Sequence, residues 1–283
     1  MPEQQETSPA GLRIGSKDRS VGWYDPPLTS VEEPVQDLLQ SYSGIPPNEV
    51  LPRVIETRDK IWEIFPWPCV GQFRFLDLSL IRKLIYPEIL ARLQSGDRIL
   101  DVGCCFAQDL RKLAHDGAPR SSLYGLEKQS EFIDLAYDFF GDKETFGGKF
   151  IRADLLDRDN QEIKALEGTF GIVQLGMVLH IWDIEGQIQA CERVVELLRD
   201  EKGVLVVGQS VGSVKGKEMP ARGRMIYKHD PETFANMWEE VGRRTGTQWV
   251  VRASLDSGLG IEQEKRAWDE PSTRRLSFEV ERI

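Results

Sequence analysis

The sequence predicts an α/β fold in which a mostly parallel β-sheet carries helices on both faces. From residue 97 onward, short apolar runs alternate with amphipathic segments of helical period. The first of these runs ends in a glycine-containing turn, and residues 23–94 before it show helical periodicity without a strand pattern. Strands that alternate with helices at this spacing imply right-handed crossovers and therefore parallel pairing. The 283 residues suffice for one large domain or two small ones.

The first 22 residues are polar, and we expect them to form a disordered tail. They lack the apolar centre of a signal peptide. No stretch of the chain approaches the run of about 18 apolar residues that spans a bilayer. We therefore expect a cytoplasmic protein without a membrane span.

Residues 23–94 are dense in proline and aromatic residues, and we interpret them as a helical cap packed on a core formed by residues 95–283. One helix is expected over residues 78–93, ending near Gly96. Some aromatic side chains of the cap either pack it onto the sheet or contact an apolar ligand. The aromatic residues expected to contact such a ligand are Trp62, Trp67 and Phe73.

Seven strands are expected after the cap. The apolar runs typical of strands cover residues 98–103, 122–127, 149–154, 170–175, 203–208, 248–253 and 275–281. Helices are expected between them at 108–115, 130–140 and 186–199, and from Asp230 and Pro231 to about Arg244. The last strand follows a polar segment that could join an antiparallel pair, so we expect it to run antiparallel in the sheet.

Composition excludes several classes of protein. Lys and Arg total 36 against 46 Asp and Glu, and the net charge of −10 argues against nucleic acid or an anionic membrane as the main partner. Four cysteines are too few for a disulfide scaffold, and none forms a C-x-x-C pair, so we expect no zinc ribbon and no other metal site.

The turn after the first strand reads Asp101-x-Gly103-x-Cys105-x-Ala107. A dinucleotide needs G-x-G-x-x-G there, because its pyrophosphate touches bare backbone, and Cys105 and Gln108 occupy two of those glycine positions. S-adenosylmethionine (SAM) carries no phosphate and makes a milder steric demand. The pattern resembles the (D/E)-x-G-x-G-x-G turn of methyltransferases, with small residues at the second and third glycines.

Two further acids follow at the expected spacing. Glu127 ends the second strand, 24 residues after Gly103, where a carboxylate can accept both ribose hydroxyls. Asp154 ends the third strand. The alternative is that both are solvated acids at strand ends. The predicted SAM-binding residues are Asp101, Gly103, Cys105, Gln108, Glu127, Lys128, Asp154 and Leu155.

Four segments, at residues 67–80, 100–119, 123–140 and 179–187, resemble fungal secondary-metabolite methyltransferases best known from meroterpenoid pathways. The resemblance implies a class I, Rossmann-like SAM methyltransferase fold, a homodimer and an acid near the adenine amino group at Asp154. It also implies methylation of the carboxylate of a farnesylated aromatic polyketide acid. A phenol or amine acceptor stays open, as does a silent binding subunit, which the degenerate glycine turn suggests.

Two features point to the acceptor. His180 follows the fourth strand and would act as a general base for a phenol, whereas a carboxylate is already ionised and would need His180 only for positioning. Residues 210–229 hold five basic side chains and one acidic one. From this basic loop, Arg222 and Arg224 are expected to grip an acceptor carboxylate, unless the loop is simply solvated.

Overall fold

The computed structural model describes residues 15–221, 224–256 and 269–283. The helices are α1 (Val35–Asp37), α2 (Pro47–Ile64), α3 (Pro68–Gly71), α4 (Tyr86–Gln94), α5 (Gln108–His115), α6 (Ser130–Phe140), α7 (Gln161–Lys164), α8 (Ile184–Leu197) and α9 (Pro231–Thr245). The strands are β1 (Ile99–Val102), β2 (Leu123–Glu127), β3 (Lys149–Arg152), β4 (Ile172–Gly176), β5 (Leu205–Ser213), β6 (Lys217–Ala221), β7 (Arg224–Lys228), β8 (Trp249–Asp256) and β9 (Thr273–Arg282).

Seven of these strands form one sheet in the order β3-β2-β1-β4-β5-β9-β8. Strands β1 to β5 pair in parallel, whereas β9 runs antiparallel to both β5 and β8. Each of the predicted strands overlaps one strand of this sheet. The predicted fold class, a mostly parallel seven-stranded sheet with helices, is confirmed.

The core lies on both faces of the sheet because successive side chains of a strand point in opposite directions. In β4, Ile172 packs with Ile89 of α4 and Leu110 of α5, whereas the next residue, Val173, packs with Val194 of α8. Such strands are buried on both sides, which is why they appear in the sequence as continuous apolar runs.

The cap packs directly on the core. Val54 and Ile61 of α2 share a hydrophobic cluster with Phe106, which follows β1, and with Phe132 and Phe139 of α6. Ring pairs continue this contact, with Phe75 lying 5.3 Å from Phe106 between ring centroids. Among the described residues 23–94 there is no strand.

The helix predicted over residues 78–93 is wrong in its first half. A 3-10 turn occupies Leu80–Arg82, Lys83 is extended, and α4 begins only at Tyr86, with Pro87 in its first turn. The backbone N–H of Leu80 donates instead to the carboxylate of Asp109, at 3.1 Å. A tertiary hydrogen bond thus replaces the helical one.

The predicted disordered tail is also wrong where the structure describes it. Val21 is buried, Arg19 pairs with Asp59 of α2, and the carbonyl of Lys17 accepts the indole N–H of Trp62 at 3.1 Å. Residues 15–22 therefore lie along α2, while residues 1–14 of the predicted tail lie outside the described part of the chain.

Residues 210–229, predicted to form a basic loop after the fifth strand, are not simply a loop. The central part of this segment forms an antiparallel pair of strands, β6 and β7, separate from the main sheet.

In the described ranges, no helix combines the length and the apolar character needed to cross a bilayer.

Candidate functional site

The turn that follows β1 keeps a glycine-type backbone although two of its expected glycines are absent. Gly103, Cys105 and Ala107 have φ values of 67°, 50° and 48°, all in the left-handed region. The N–H of Gly103 donates to the carbonyl of Leu126 in β2 at 2.8 Å. The turn is therefore held at the carboxyl edge of the sheet in a conformation that non-glycine residues adopt at a cost of about 1–2 kcal/mol each.

Glu127 lies beside this turn and is almost fully buried. One carboxylate oxygen accepts the backbone N–H of Cys105 at 2.9 Å, and the other accepts that of Gln129 at 2.8 Å. Burial raises the pKa of Glu127, and these N–H groups lower it in part. A carboxylate has about four acceptor sites, so each oxygen can accept one further hydrogen bond.

Asp101 and Asp109 place two more carboxyl groups under the turn. Both are buried, and desolvation raises both pKa values, that of Asp101 well above its ordinary value with added repulsion from Asp109 and Glu127. Among the described residues, the Asp101 side chain has no hydrogen-bond partner, whereas Asp109 accepts from Ser79 and Gln174 at 2.8 Å. Together with Glu127, the site thus holds three buried carboxyl groups.

Sequence reasoning missed a polar network that joins the cap to this edge. Gln108 donates to the carbonyl of Asp77, and Gln209 of β5 donates to the Asp77 carboxylate, both at 3.1 Å. The side-chain oxygens of Gln108 and Gln174 are buried without a partner among the described residues. Of its members, the sequence pointed to Gln108 as a predicted SAM-binding residue and to Asp109 as an acid in the first turn of a predicted helix.

Asp154 lies two residues beyond β3, next to the Glu127 loop. Burial opposes ionisation, but the Lys128 ammonium at 2.9 Å and the backbone N–H of Leu156 at 3.0 Å hold the pKa of Asp154 below its usual value. Lys128 is exposed, whereas the Leu155 side chain is buried in the core, so Leu155 offers only backbone to a ligand.

His180 sits in a 3-10 turn after β4 and is half-buried. Its Nδ1 lies 3.5 Å from Oγ of the buried Ser210 in β5. Met177, just before this turn, has a φ of 61° and donates its N–H to the carbonyl of Gln209 at 2.7 Å. The β4 edge therefore holds a second left-handed position beside the site.

The three predicted aromatic contacts differ in placement. Trp62 is 0% exposed inside the cap, with its indole N–H bonded to Lys17, which favours packing over the predicted ligand contact. Phe73 is also buried, under the guanidinium of Arg58 at 4.4 Å. Trp67 is half-buried and stacks on Phe65 at 4.7 Å. Of the three, Trp67 has the most surface for a ligand.

Several basic residues of the predicted loop are already paired. Lys217 lies 2.5 Å from Glu270, and the buried Lys228 donates to Thr273 at 2.8 Å. Arg222 lies outside the described residues, and the structure describes Arg224 only as the first backbone position of β7. The expected surplus of free positive charge is therefore reduced at Lys217 and Lys228.

Three comparisons with known proteins bear on this site. Residues 23–76 match a family model described as the meroterpenoid methyltransferase N-terminal domain. The O-methyltransferase atr3 of Stereocaulon alpinum is 39% identical over 270 residues, covering 94% of this chain and 77% of that protein. The O-methyltransferase phiE of Fungal sp. (strain ATCC 74256) is 36% identical over 278 residues, covering 92% of each.

Among solved structures, a SAM-dependent methyltransferase from Mesorhizobium loti is similar, with 17% identity and a TM-score of 0.46 over 72% of this chain and 100% of that one. The sequence relatives are far closer, and they extend over both the cap and the core. On that ground the chain belongs to the family of fungal O-methyltransferases of secondary metabolism.

Proposed function

We propose that the chain transfers a methyl group from SAM to the carboxylate of a farnesylated aromatic polyketide acid and so forms a methyl ester. The observation that carries the donor part is the buried Glu127 carboxylate, held by two backbone N–H groups at the glycine-type turn. The acceptor part is supported by the matching N-terminal family model, whose description names meroterpenoids.

The residues at the edge of the sheet fit SAM. Glu127 has free acceptor sites for two ribose hydroxyls, and Asp154 lies on the neighbouring strand end for the adenine amino group. Asp101 is a buried carboxyl group without a hydrogen-bond partner in the described chain, and its raised pKa disfavours the ionised form until a cation such as the methionine ammonium lies beside it. At Gly103, a Cβ atom would lie 3.0 Å from the Val178 side chain, so a larger residue would crowd the turn. When bound, SAM supplies an electrophilic methyl group on its sulfonium sulfur.

The aromatic residues beside the turn suit an apolar acceptor. Phe65 stacks on Trp67, and its ring lies 5.3 Å from Phe132, three residues after the Gln129 that holds Glu127. Ligand pockets are lined mainly by such side chains, with few polar groups. Trp67 and Phe65 would cover the apolar body of the acid and exclude water from the reacting end.

Methylation of a carboxylate needs no general base from the protein. The acceptor is ionised at neutral pH, so the chain has to hold oxygen and methyl carbon at about 3–3.5 Å in line. His180 would orient the reacting oxygen without taking its proton, and Arg222 and Arg224 would grip the acid. A phenol is the second candidate, favoured by the placement of His180 near the end of β4 with Ser210 beside it.

The experiment is product analysis with an aromatic polyketide acid as acceptor. A base-labile methyl ester supports the proposal, and a stable ether supports the phenol. Turnover should stay flat as pH falls from about 8 to 6, because a carboxyl group titrates near pH 4. A steep fall would mean that a group titrating near the pKa of histidine is needed.

Replacement of Arg222 or Arg224 by Ala should raise KM for the acid, with binding of S-adenosylhomocysteine (SAH) as the control. Failure of the wild-type chain to bind SAH in calorimetry would favour the silent subunit.

The resemblance to the family also implies a homodimer, which stays a prediction. Light scattering on the full chain measures it: a mass near twice that of one chain supports the dimer.

A further inference from the structure

Arg111 of α5 is buried under the turn that follows β1, with 0% of its side chain exposed. One guanidinium nitrogen donates to the carbonyl of Phe106 at 2.7 Å. The other two donor positions form a fork on Asp142, at 2.8 and 2.9 Å. The rings of Phe140 and Phe146 lie 4.4 and 4.8 Å from the guanidinium carbon. These contacts fix the guanidinium of Arg111 in one orientation, in which it donates a hydrogen bond to the turn.

The carbonyl that Arg111 binds lies between two strained residues. Phe106 separates Cys105 and Ala107, both left-handed. Side chains with a Cβ atom disfavour that conformation, so the turn keeps it only where surrounding contacts impose it. The N–H of Cys105 must also point at Glu127 for their hydrogen bond to form. By holding the carbonyl of Phe106, Arg111 therefore also restrains the neighbouring Cys105, whose N–H donates to the Glu127 carboxylate.

Asp142 extends this support to the cap. The hydroxyl of Tyr42 donates to Asp142 at 2.8 Å and accepts a hydrogen bond from Arg120 at 3.2 Å. Burial and the Asp142 charge raise the pKa of Tyr42 to about 12, so the hydroxyl keeps its proton and remains a donor at neutral pH. The cap, Asp142, Arg111 and the turn are thus joined by consecutive charge-assisted hydrogen bonds.

We propose that Arg111 is a positioning residue for methyl-donor binding: it holds the left-handed turn at Cys105 and Ala107, and Asp142 and Tyr42 fix Arg111 from the cap. The inference rests on the proposed binding of SAM at this turn. It explains how the chain retains a working turn without the second and third glycines of the methyltransferase pattern. Arg111 touches no reacting atom.

The test combines loss at Arg111 with relief of backbone strain. Arg111→Lys should weaken SAH binding by calorimetry about tenfold, the equivalent of about 1.4 kcal/mol. Adding Ala107→Gly should restore most of that affinity, because glycine adopts the left-handed region freely. It should not restore the fall in Tm that Arg111→Lys causes. In the ligand-free protein, amide exchange over residues 103–107 should be faster in Arg111→Lys and slower again in the double variant.

Tyr42→Phe provides a milder variant if Arg111→Lys does not fold, and it should show a smaller loss that Ala107→Gly also relieves. Arg193→Lys is the matched control, since Arg193 is buried and ion-paired with Glu196 on α8 and should lower Tm without changing SAH affinity. SAH binding at wild-type affinity in the folded Arg111→Lys variant, or no recovery with Ala107→Gly, would overturn the inference. A wild-type chain that does not bind SAH would instead overturn the proposed function.

Discussion

The backbone N–H of Cys105 donates to a carboxylate oxygen of Glu127 at 2.9 Å, across 22 residues of sequence. The contact uses only the main chain of residue 105, so it does not require glycine there. It does require the left-handed backbone, with φ of 50°, that aims the N–H at β2. The side chain can therefore vary as long as the turn conformation is maintained.

Glu127→Ala should weaken SAM or SAH binding by about 1–3 kcal/mol, because it removes a charged acceptor from the ribose hydroxyls. Isothermal titration calorimetry measures the change. Glu131→Ala, at an exposed acid four residues later in the first turn of α6, is the control and should bind normally. An unchanged dissociation constant for Glu127→Ala would mean that the ribose contact is misassigned.

Asp101→Asn should stabilise the ligand-free protein at neutral pH while it weakens donor binding. The folded-state pKa of Asp101 lies well above the ordinary 3.8, so ionising this buried group costs folding energy at high pH. That cost is absent below pH 3.8 and grows as pH rises toward the folded-state pKa. Denaturant unfolding should therefore show the gain at pH 7 and little near pH 4. A gain of equal size at both pH values would argue against a raised folded-state pKa of Asp101.

Trp62→Ala and Trp67→Ala should separate packing from ligand contact. Trp62 is fully buried, so its truncation should cost about 3–5 kcal/mol of unfolding free energy. Trp67 is half-buried, so truncation there should cost less stability and raise KM for the acceptor. Denaturant titration and steady-state kinetics on both variants check this, and equal stability losses would contradict the assignment.

Asp230→Ala should cost about 0.5–2 kcal/mol by removing the cap of α9. The Asp230 carboxylate accepts the N–H of Thr233 at 2.8 Å, and its second oxygen accepts that of Gly216 before β6. Glu239→Ala, at an exposed position inside the same helix, should change stability by less than about 0.5 kcal/mol. Similar losses for the two variants in chemical denaturation would show that the cap contributes nothing special.

The sequence by itself determined the sheet and the start of α9. The inner strands β1, β2 and β4 are buried on both faces, so each is a short apolar run that stands out against the amphipathic helices around it. The capping residue Asp230 followed by Pro231 marks a helix start through local hydrogen bonding and a fixed φ. These signals depend on neighbours along the chain, and they correctly predicted the fold class.

Only the tertiary structure decided how the cap meets the turn. The Asp109 carboxylate accepts hydrogen bonds from Ser79 and Gln174, which lie 30 and 65 residues away in sequence. Arg111 donates hydrogen bonds to both Phe106 and Asp142. Helical spacing shows that Trp62 lies on an apolar face, but not that its ring is fully buried or that the carbonyl of Lys17 accepts its indole N–H. Long-range contacts of this kind depend on which segments the folded chain brings together, and the periodicity of a single segment carries no information about its eventual partner.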